Sequence, residues 1–182
     1  MQLSNKILDK INRIKLLIFD VDGVLTDGSI FISSSGEEYK RFSIEDGTGA
    51  AFARLAKLPL ALISGRFSKA TSIRAKELKI NDCYQGSLNK LSDYYELCKK
   101  YNVNSQEVAY IGDSYIDIPV MKEVGLPITV PNGNNMVKNI ADYVTIKKGG
   151  EGVLLEVVEL ILFNQGRFDI IIKKMEKNIY KS

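Results

Sequence analysis

This 182-residue chain has no histidine. That absence excludes serine–histidine–aspartate and cysteine–histidine machinery, and any metal held by imidazole. Acid–base chemistry must then rest on carboxylates, lysine, tyrosine or cysteine. A bound metal should be a hard cation on oxygen ligands. Cysteine is scarce: Cys83 and Cys98 are the only two and lack C-x-x-C spacing. They read as reduced structural thiols of a cytoplasmic protein. Long apolar runs are missing as well. Val153 to Leu155 and Leu160 to Phe163 are typical, far short of the ~20 residues a membrane span needs. The opening MQLSNKILDKINRIK is amphipathic and polar, without the apolar centre of a signal peptide. A net charge of +3 is too mild to point to nucleic acid or a membrane surface. What remains is an ordinary soluble composition, 45% hydrophobic and 26% charged, on a length that suits one domain, 1–182, with a substantial core.

Short apolar runs recur along the chain. LLIF (16–19), LALI (60–63), VAYI (108–111), PITV (127–130) and DYVTI (142–146) read as buried strands bounded by Gly, Pro or Asp. Between them, 46–58, 67–80, 87–101 and 115–125 carry helical spacing, as does 151–166. A basic amphipathic tail, 166–182, follows, and its KKMEKNIYKS end reads as a solvated helix terminus. Alternation of strand and helix predicts an α/β fold with a mainly parallel central sheet. One segment breaks the alternation. GSIFISSSGEEYKRFS (28–43) alternates, turns at SSSGEE and alternates again, which predicts a β-hairpin directly after the first strand.

Parallel sheets bind ligands at the carboxyl ends of their strands, and four polar clusters fall there. Asp20 and Asp22 follow the first strand, Ser64 the second; Lys90 comes just after YQGSLN, and Asp113 and Asp117 lie in GDSYID. Carboxylates gathered at one spot raise one another's pKa unless a cation sits among them. Mg²⁺ is the expected ion, and the paired aspartates are expected to share it and one lysine. Mg²⁺ among carboxylates suits phosphate chemistry, and a carboxylate can attack phosphorus directly. Asp20 then reads as nucleophile and Asp22 as the acid, later the base. Ser64 and Lys90 would steady the phosphoryl oxygens. Asp20, Asp22 and Asp113 would hold the metal, with Asp117 orienting Lys90 or a metal-bound water from behind. Singly, each cluster has a plain structural reading: a strand-end turn, a helix N-cap, a solvated lysine. Four in register leave little room for it.

DVDGVLTDG, ISGR, QGSLNK and GDSYID resemble the four motifs of the haloacid dehalogenase superfamily, in order and at the right spacing. With ADYVT and GGEGVLLEV, the chain is similar to the capless 3-deoxy-D-manno-octulosonate 8-phosphate (KDO 8-phosphate) phosphatases. The resemblance implies a three-layer Rossmann-like sandwich, a Mg²⁺-dependent phosphatase of lipopolysaccharide sugar synthesis, and a homotetramer whose neighbouring subunits cover an otherwise open site. Spacing agrees with the absence of a cap. Only the hairpin separates the first motif from the next helix, and about one helix and one strand separate Ser64 from Lys90. The hairpin's apolar residues Ile30, Ile32, Tyr39 and Phe42 suit burial between subunits.

The same resemblance assigns substrate contacts to Ser43, Ile44, Glu45, Asp46 and Gly47, to Arg66 and Arg74, and to Asp22 and Lys90. Two arginines suit an acidic sugar phosphate, with a surface ion pair as their plain alternative. Arg66 favours KDO 8-phosphate, because similar phosphatases acting on nine-carbon (nonulosonic) sugar acid phosphates carry glutamate there. Ala51 and Leu155 replace arginines common in the family and keep the nine-carbon substrate open. Ser114 replaces the second aspartate of the usual GDD. A non-catalytic oligomerisation module is the third reading, disfavoured by the intact motifs.

Overall fold

The computed structural model of the chain describes residues 3–179. Helix α1 (Asn5–Arg13) leads into β1 (Leu16–Phe19). Next come the hairpin strands β2 (Phe31–Ile32) and β3 (Glu38–Tyr39), then α2 (Glu45–Leu55). The chain continues through β4 (Leu60–Ser64), α3 (Lys69–Glu77), β5 (Asp82–Gln85), α4 (Lys90–Tyr101) and β6 (Val108–Ile111). It ends with α5 (Ile118–Glu123), β7 (Leu126–Thr129), α6 (Asn135–Lys138), β8 (Tyr143–Val144), α7 (Val153–Asn164) and α8 (Phe168–Ile179). Six strands form one sheet in the order β5-β4-β1-β6-β7-β8, every neighbouring pair parallel.

The continuous apolar runs follow from this topology, because helices cover both faces of the sheet. Along β1, Leu17 and Phe19 enter one core while Leu16 and Ile18 enter the other. The first core is closed by α1, α2, α7 and α8, the second by α4 and α5. β1 lies between β4 and β6, so its carboxyl end sits at the middle of the sheet edge. This is where the connections diverge to opposite sides and leave a crevice.

Several sequence expectations shift. Strand 142–146 shrinks to β8, and the expected helix 115–125 is split into a 3₁₀ turn, Tyr115–Asp117, and α5. The hairpin ladder is only two residues per strand, and Phe42 turns inward onto the first core instead of joining Ile30, Ile32 and Tyr39 outside. The tail is less solvated than its charge suggested. Ile171 is buried, and Phe168, Ile172 and Met175 pack on the first core; the last residues of the tail lie outside the described ones. Among the described residues, no helix is long and apolar enough to cross a membrane.

Helices α2 and α7 meet at Gly49, where a Cβ would lie 2.7 Å from the Leu155 backbone nitrogen. Alanine gains about 1 kcal/mol of helix propensity over glycine, but two backbones this close cannot yield, and overpacking costs ~1–3 kcal/mol. Gly49→Ala is therefore expected to lower the urea midpoint, with a net loss of about 1 kcal/mol. A raised midpoint would show that the helices can separate.

Candidate active site

The site is built on the sheet's carboxyl edge. After β1 the chain turns tightly: the Val21 carbonyl accepts N–H groups from Val24, Leu25 and Thr26 at 2.9–3.3 Å. The Thr26 hydroxyl oxygen accepts the N–H groups of Gly23 and Gly28 at 3.3 and 3.2 Å. Gly23 has φ +88°, and a Cβ there would lie 2.2 Å from Asp113 Oδ2. Only glycine lets the first acidic loop close onto the one after β6.

Lys90, first residue of α4, runs inward and has no exposed side-chain surface. Its Nζ lies 2.6 Å from Asp117 Oδ1 and 3.1 Å from Asp20 Oδ2. Burial alone would pull this lysine down. The carboxylates of Asp20 and Asp117 more than offset that, so its pKa stands above the ordinary value. Asp117 is saturated: Tyr110 donates its hydroxyl to Oδ1 at 2.7 Å, while Oδ2 accepts the Asp113 and Ser114 N–H groups and the Ser114 hydroxyl at 3.0 Å. Asp117 therefore positions Lys90 and the Asp113 loop.

Carboxylate oxygens of Asp20, Asp113 and Asp117 lie within 4.8 Å of one another. Burial raises Asp20 despite the pull of Lys90, and Asp117 adds to the rise. Burial, then Asp117, raises Asp113 to about 7. Among the described residues, no hydrogen-bond donor reaches the buried Asp113 Oδ1. An unpartnered buried acceptor beside a second carboxylate is a donor set that fits a hard divalent cation.

Asp22 stands apart from this trio. Its Oδ1 accepts from Lys40 Nζ at 2.6 Å, and Arg66 lies 3.8 Å from its Oδ2. The expectation of one shared lysine is thus corrected: Lys90 serves Asp20, and Lys40 serves Asp22. The reason is direction, since the two side chains leave the loop toward opposite neighbours, α4 and the hairpin. Asp20, Asp22, Ser64, Arg66, Asp113 and Ser114 line a cavity of about 330 Å³ whose mouth carries Leu88 and Ile116.

The remaining predicted contacts do not line this cavity. Ile44 is exposed, and Glu45 pairs with Lys147. The Ser43 hydroxyl oxygen accepts the Glu45 N–H, and Gly47 sits in the first turn of α2. Asp46 is buried and accepts the Leu154 N–H at 3.0 Å, tying α2 to the start of α7. Its pKa is pushed up to about 6, chiefly by burial. Arg74 donates to the Ser43 carbonyl at 2.7 Å and pairs with Glu77. Sequence reasoning missed Lys40, Glu38 and Tyr110. The first two flank Tyr39 in the alternating segment at the end of the hairpin, which is a signal for one shared face; a tyrosine inside VAYI gives none beyond core.

Comparison with known proteins agrees with this geometry. A family model described as haloacid dehalogenase-like hydrolase matches residues 55–157. The 3-deoxy-D-manno-octulosonate 8-phosphate phosphatase of Salmonella typhi is 41% identical over 167 residues, 92% of this chain and 89% of that protein. The chain is a haloacid dehalogenase-like hydrolase of the KDO 8-phosphate phosphatase family. Its fold matches the solved structure of that phosphatase from Yersinia pestis with a TM-score of 0.89 and 40% identity, covering 92% of this chain and 90% of that one. The Moraxella catarrhalis phosphatase, solved in complex with magnesium ion, phosphate ion and KDO, matches with a TM-score of 0.90 and 42% identity, covering 94% and 98%. In this chain the hairpin strands β2 and β3 are the elements between β1 and α2.

The raised carboxylates set a pH dependence. Folded Asp20 and Asp113 keep protons that the unfolded chain releases above the ordinary aspartate range. Stability is then greatest at low pH within this window and falls as pH rises from about 4 toward about 7. A cation bound by both carboxylates opposes that fall. Mg²⁺ added to EDTA-treated protein should raise the melting temperature more at pH 7.5 than at pH 5. An equal rise at both would contradict the cluster's role.

Proposed function

We propose that the protein is a magnesium-dependent phosphatase that hydrolyses KDO 8-phosphate to KDO and phosphate, in lipopolysaccharide sugar synthesis. The observation that carries this reading is a buried, lysine-bound aspartate, Asp20, at the floor of a cavity whose rim holds an arginine, Arg66. The 42% identity to a phosphatase solved with magnesium, phosphate and KDO supports it.

Asp20 and Asp113 would hold Mg²⁺, which supplies positive charge to an anionic phosphoryl group facing a carboxylate. Asp20 attacks phosphorus and the bond from phosphorus to the sugar oxygen breaks; Asp22, having taken a proton from solvent as the phosphate dianion binds beside it, gives that proton to the leaving oxygen. Asp22 then takes a proton from water as the water attacks the aspartyl-phosphate, releasing phosphate and restoring Asp20. Ser64 donates its hydroxyl to the phosphoryl oxygens, while Lys90 fixes Asp20 and offsets developing charge. Asp117 holds Lys90 in place. Arg66 pairs with the carboxylate of the sugar acid.

The chain acts as one capless domain, 1–182. An open site admits water at the wrong moment. Phe31, Ile32 and Tyr39 on the hairpin, with Phe67 and Leu88 near the mouth, are exposed. Single subunits rarely leave so much apolar surface in one region, which supports a homotetramer in which neighbours cover the cavity. The two free thiols, Cys83 and Cys98, suit a reducing cytoplasm.

Phosphate release from KDO 8-phosphate should be abolished by EDTA and by Asp20→Asn, which leaves the fold intact. A parallel assay with a nine-carbon sugar acid phosphate should give the lower kcat/KM, and the reverse order would make that compound the substrate. Sedimentation should show a tetramer that Ile32→Glu reduces to smaller species; an unchanged tetramer would move the interface elsewhere.

A further inference from the structure

The hairpin reaches back into the site through two side chains. Glu38 and Lys40 are two residues apart, so they share one face, while Tyr39 between them points to solvent. Together with Asp22 and Arg66 they close a ring of alternating charge. Lys40 Nζ lies 2.6 Å from Asp22 Oδ1, and Asp22 Oδ2 lies 3.8 Å from Arg66. An Arg66 guanidinium nitrogen lies 2.8 Å from Glu38 Oε2, and Glu38 Oε1 lies 3.9 Å from Lys40 Nζ.

The ring is anchored on the first turn of α3. Ser68, the cap of that helix, donates its hydroxyl to Glu38 Oε1 at 2.5 Å and accepts the Thr71 N–H. Lys40 also donates to the Thr71 hydroxyl at 3.3 Å, and its side chain is wholly buried. The Ser68 hydroxyl, with help from Arg66, keeps the Glu38 carboxyl below its ordinary range, so it stays charged. A single surface ion pair contributes little and holds a long side chain poorly. A charge-balanced ring with a buried lysine and a helix cap fixes geometry. Arg66 is about half exposed and would otherwise sweep a wide cone at the rim.

We propose that Glu38 and Lys40 are positioning residues of the reaction: Glu38 aims Arg66 at the substrate's carboxylate, and Lys40 aims Asp22 at the leaving oxygen. This rests on the roles given above to Asp22 and Arg66. The hairpin then does from within the subunit part of what a cap domain does from outside. Glu38 acts on selection of the acid substrate, Lys40 on the chemical step for any phosphate ester.

Steady-state kinetics of the full chain with Mg²⁺ separates the two, using KDO 8-phosphate and p-nitrophenyl phosphate, which has no carboxylate. Glu38→Gln should raise KM for KDO 8-phosphate about fivefold with kcat within about twofold. Its constants for p-nitrophenyl phosphate should barely move, and Glu38→Asp should recover part of the loss. Lys40→Met should lower kcat about tenfold on both substrates, and Lys40→Arg should restore part of it. Equal effects of Glu38→Gln on both substrates, or an undiminished kcat in Lys40→Met, would overturn the proposal. If Lys40→Met does not fold, Glu38→Gln decides alone. Arg66→Ala separates the role of Arg66 from that of the ring. If it fails to discriminate between the substrates, the role of Arg66 is wrong; if it discriminates and Glu38→Gln does not, the ring is wrong.

Discussion

A lysine removed entirely from water is the constraint around which this molecule is arranged. Lys90 needs two carboxylates to remain charged in the interior, and each of those needs further donors. Tyr110, the Asp113 and Ser114 N–H groups and the Ser114 hydroxyl satisfy Asp117; the Val21 N–H, 2.7 Å from Oδ1, helps satisfy Asp20. Removing one partner from such a buried pair costs ~3–5 kcal/mol. Replacing the whole set by apolar residues would cost little or even stabilise the fold. Its retention makes sense only as preorganisation: the charges stand ready before any phosphate arrives.

Around this floor the molecule divides its labour. β1, β4, β6 and the start of α4 hold Asp20, Ser64, Lys90 and the Asp113 loop on elements buried on both sides. The rim is made of exposed hairpin and loop residues. The floor is therefore rigid and the rim adjustable, and the two are joined where Lys40 reaches Asp22. Gly23 marks the seam, since any side chain there would strike Asp113 and force the floor open.

Much of this was legible in the residues. LLIF and VAYI read as central strands because both faces of a parallel sheet are covered, which demands unbroken apolar runs. The acidic motifs lay where such strands end. DCYQ was harder to place, since β5 is an edge strand, half-buried and polar, with Asp82 paired to Lys100 and bonded to the Tyr101 hydroxyl. The roles of Lys40 and Glu38 were hidden for another reason. A lysine in a charged turn reads as solvated, and nothing local says that α3 will come to meet it. Asp46 was assigned to substrate by resemblance alone; its Oδ1 accepts the Leu154 N–H, a tie to α7 that nothing in the local sequence announces.

The loop before α7 also braces the first acidic turn. The Gly150 N–H donates to the Val24 carbonyl at 3.0 Å, and Gly149 presses so closely on Gly23 that a Cβ would meet its carbonyl oxygen at 1.9 Å. The centre thus draws on nearly the whole span from Asp20 to Gly150. In a chain emerging from the ribosome Asp20 appears early, while Lys90, Asp113 and the bracing Gly149 and Gly150 follow about 70, 93 and 130 residues later. A chain that stops short of Asp113 and Asp117 lacks the carboxylate that holds Lys90 and the loop that closes on Gly23. The centre assembles only when segments about 130 residues apart in the chain have come together.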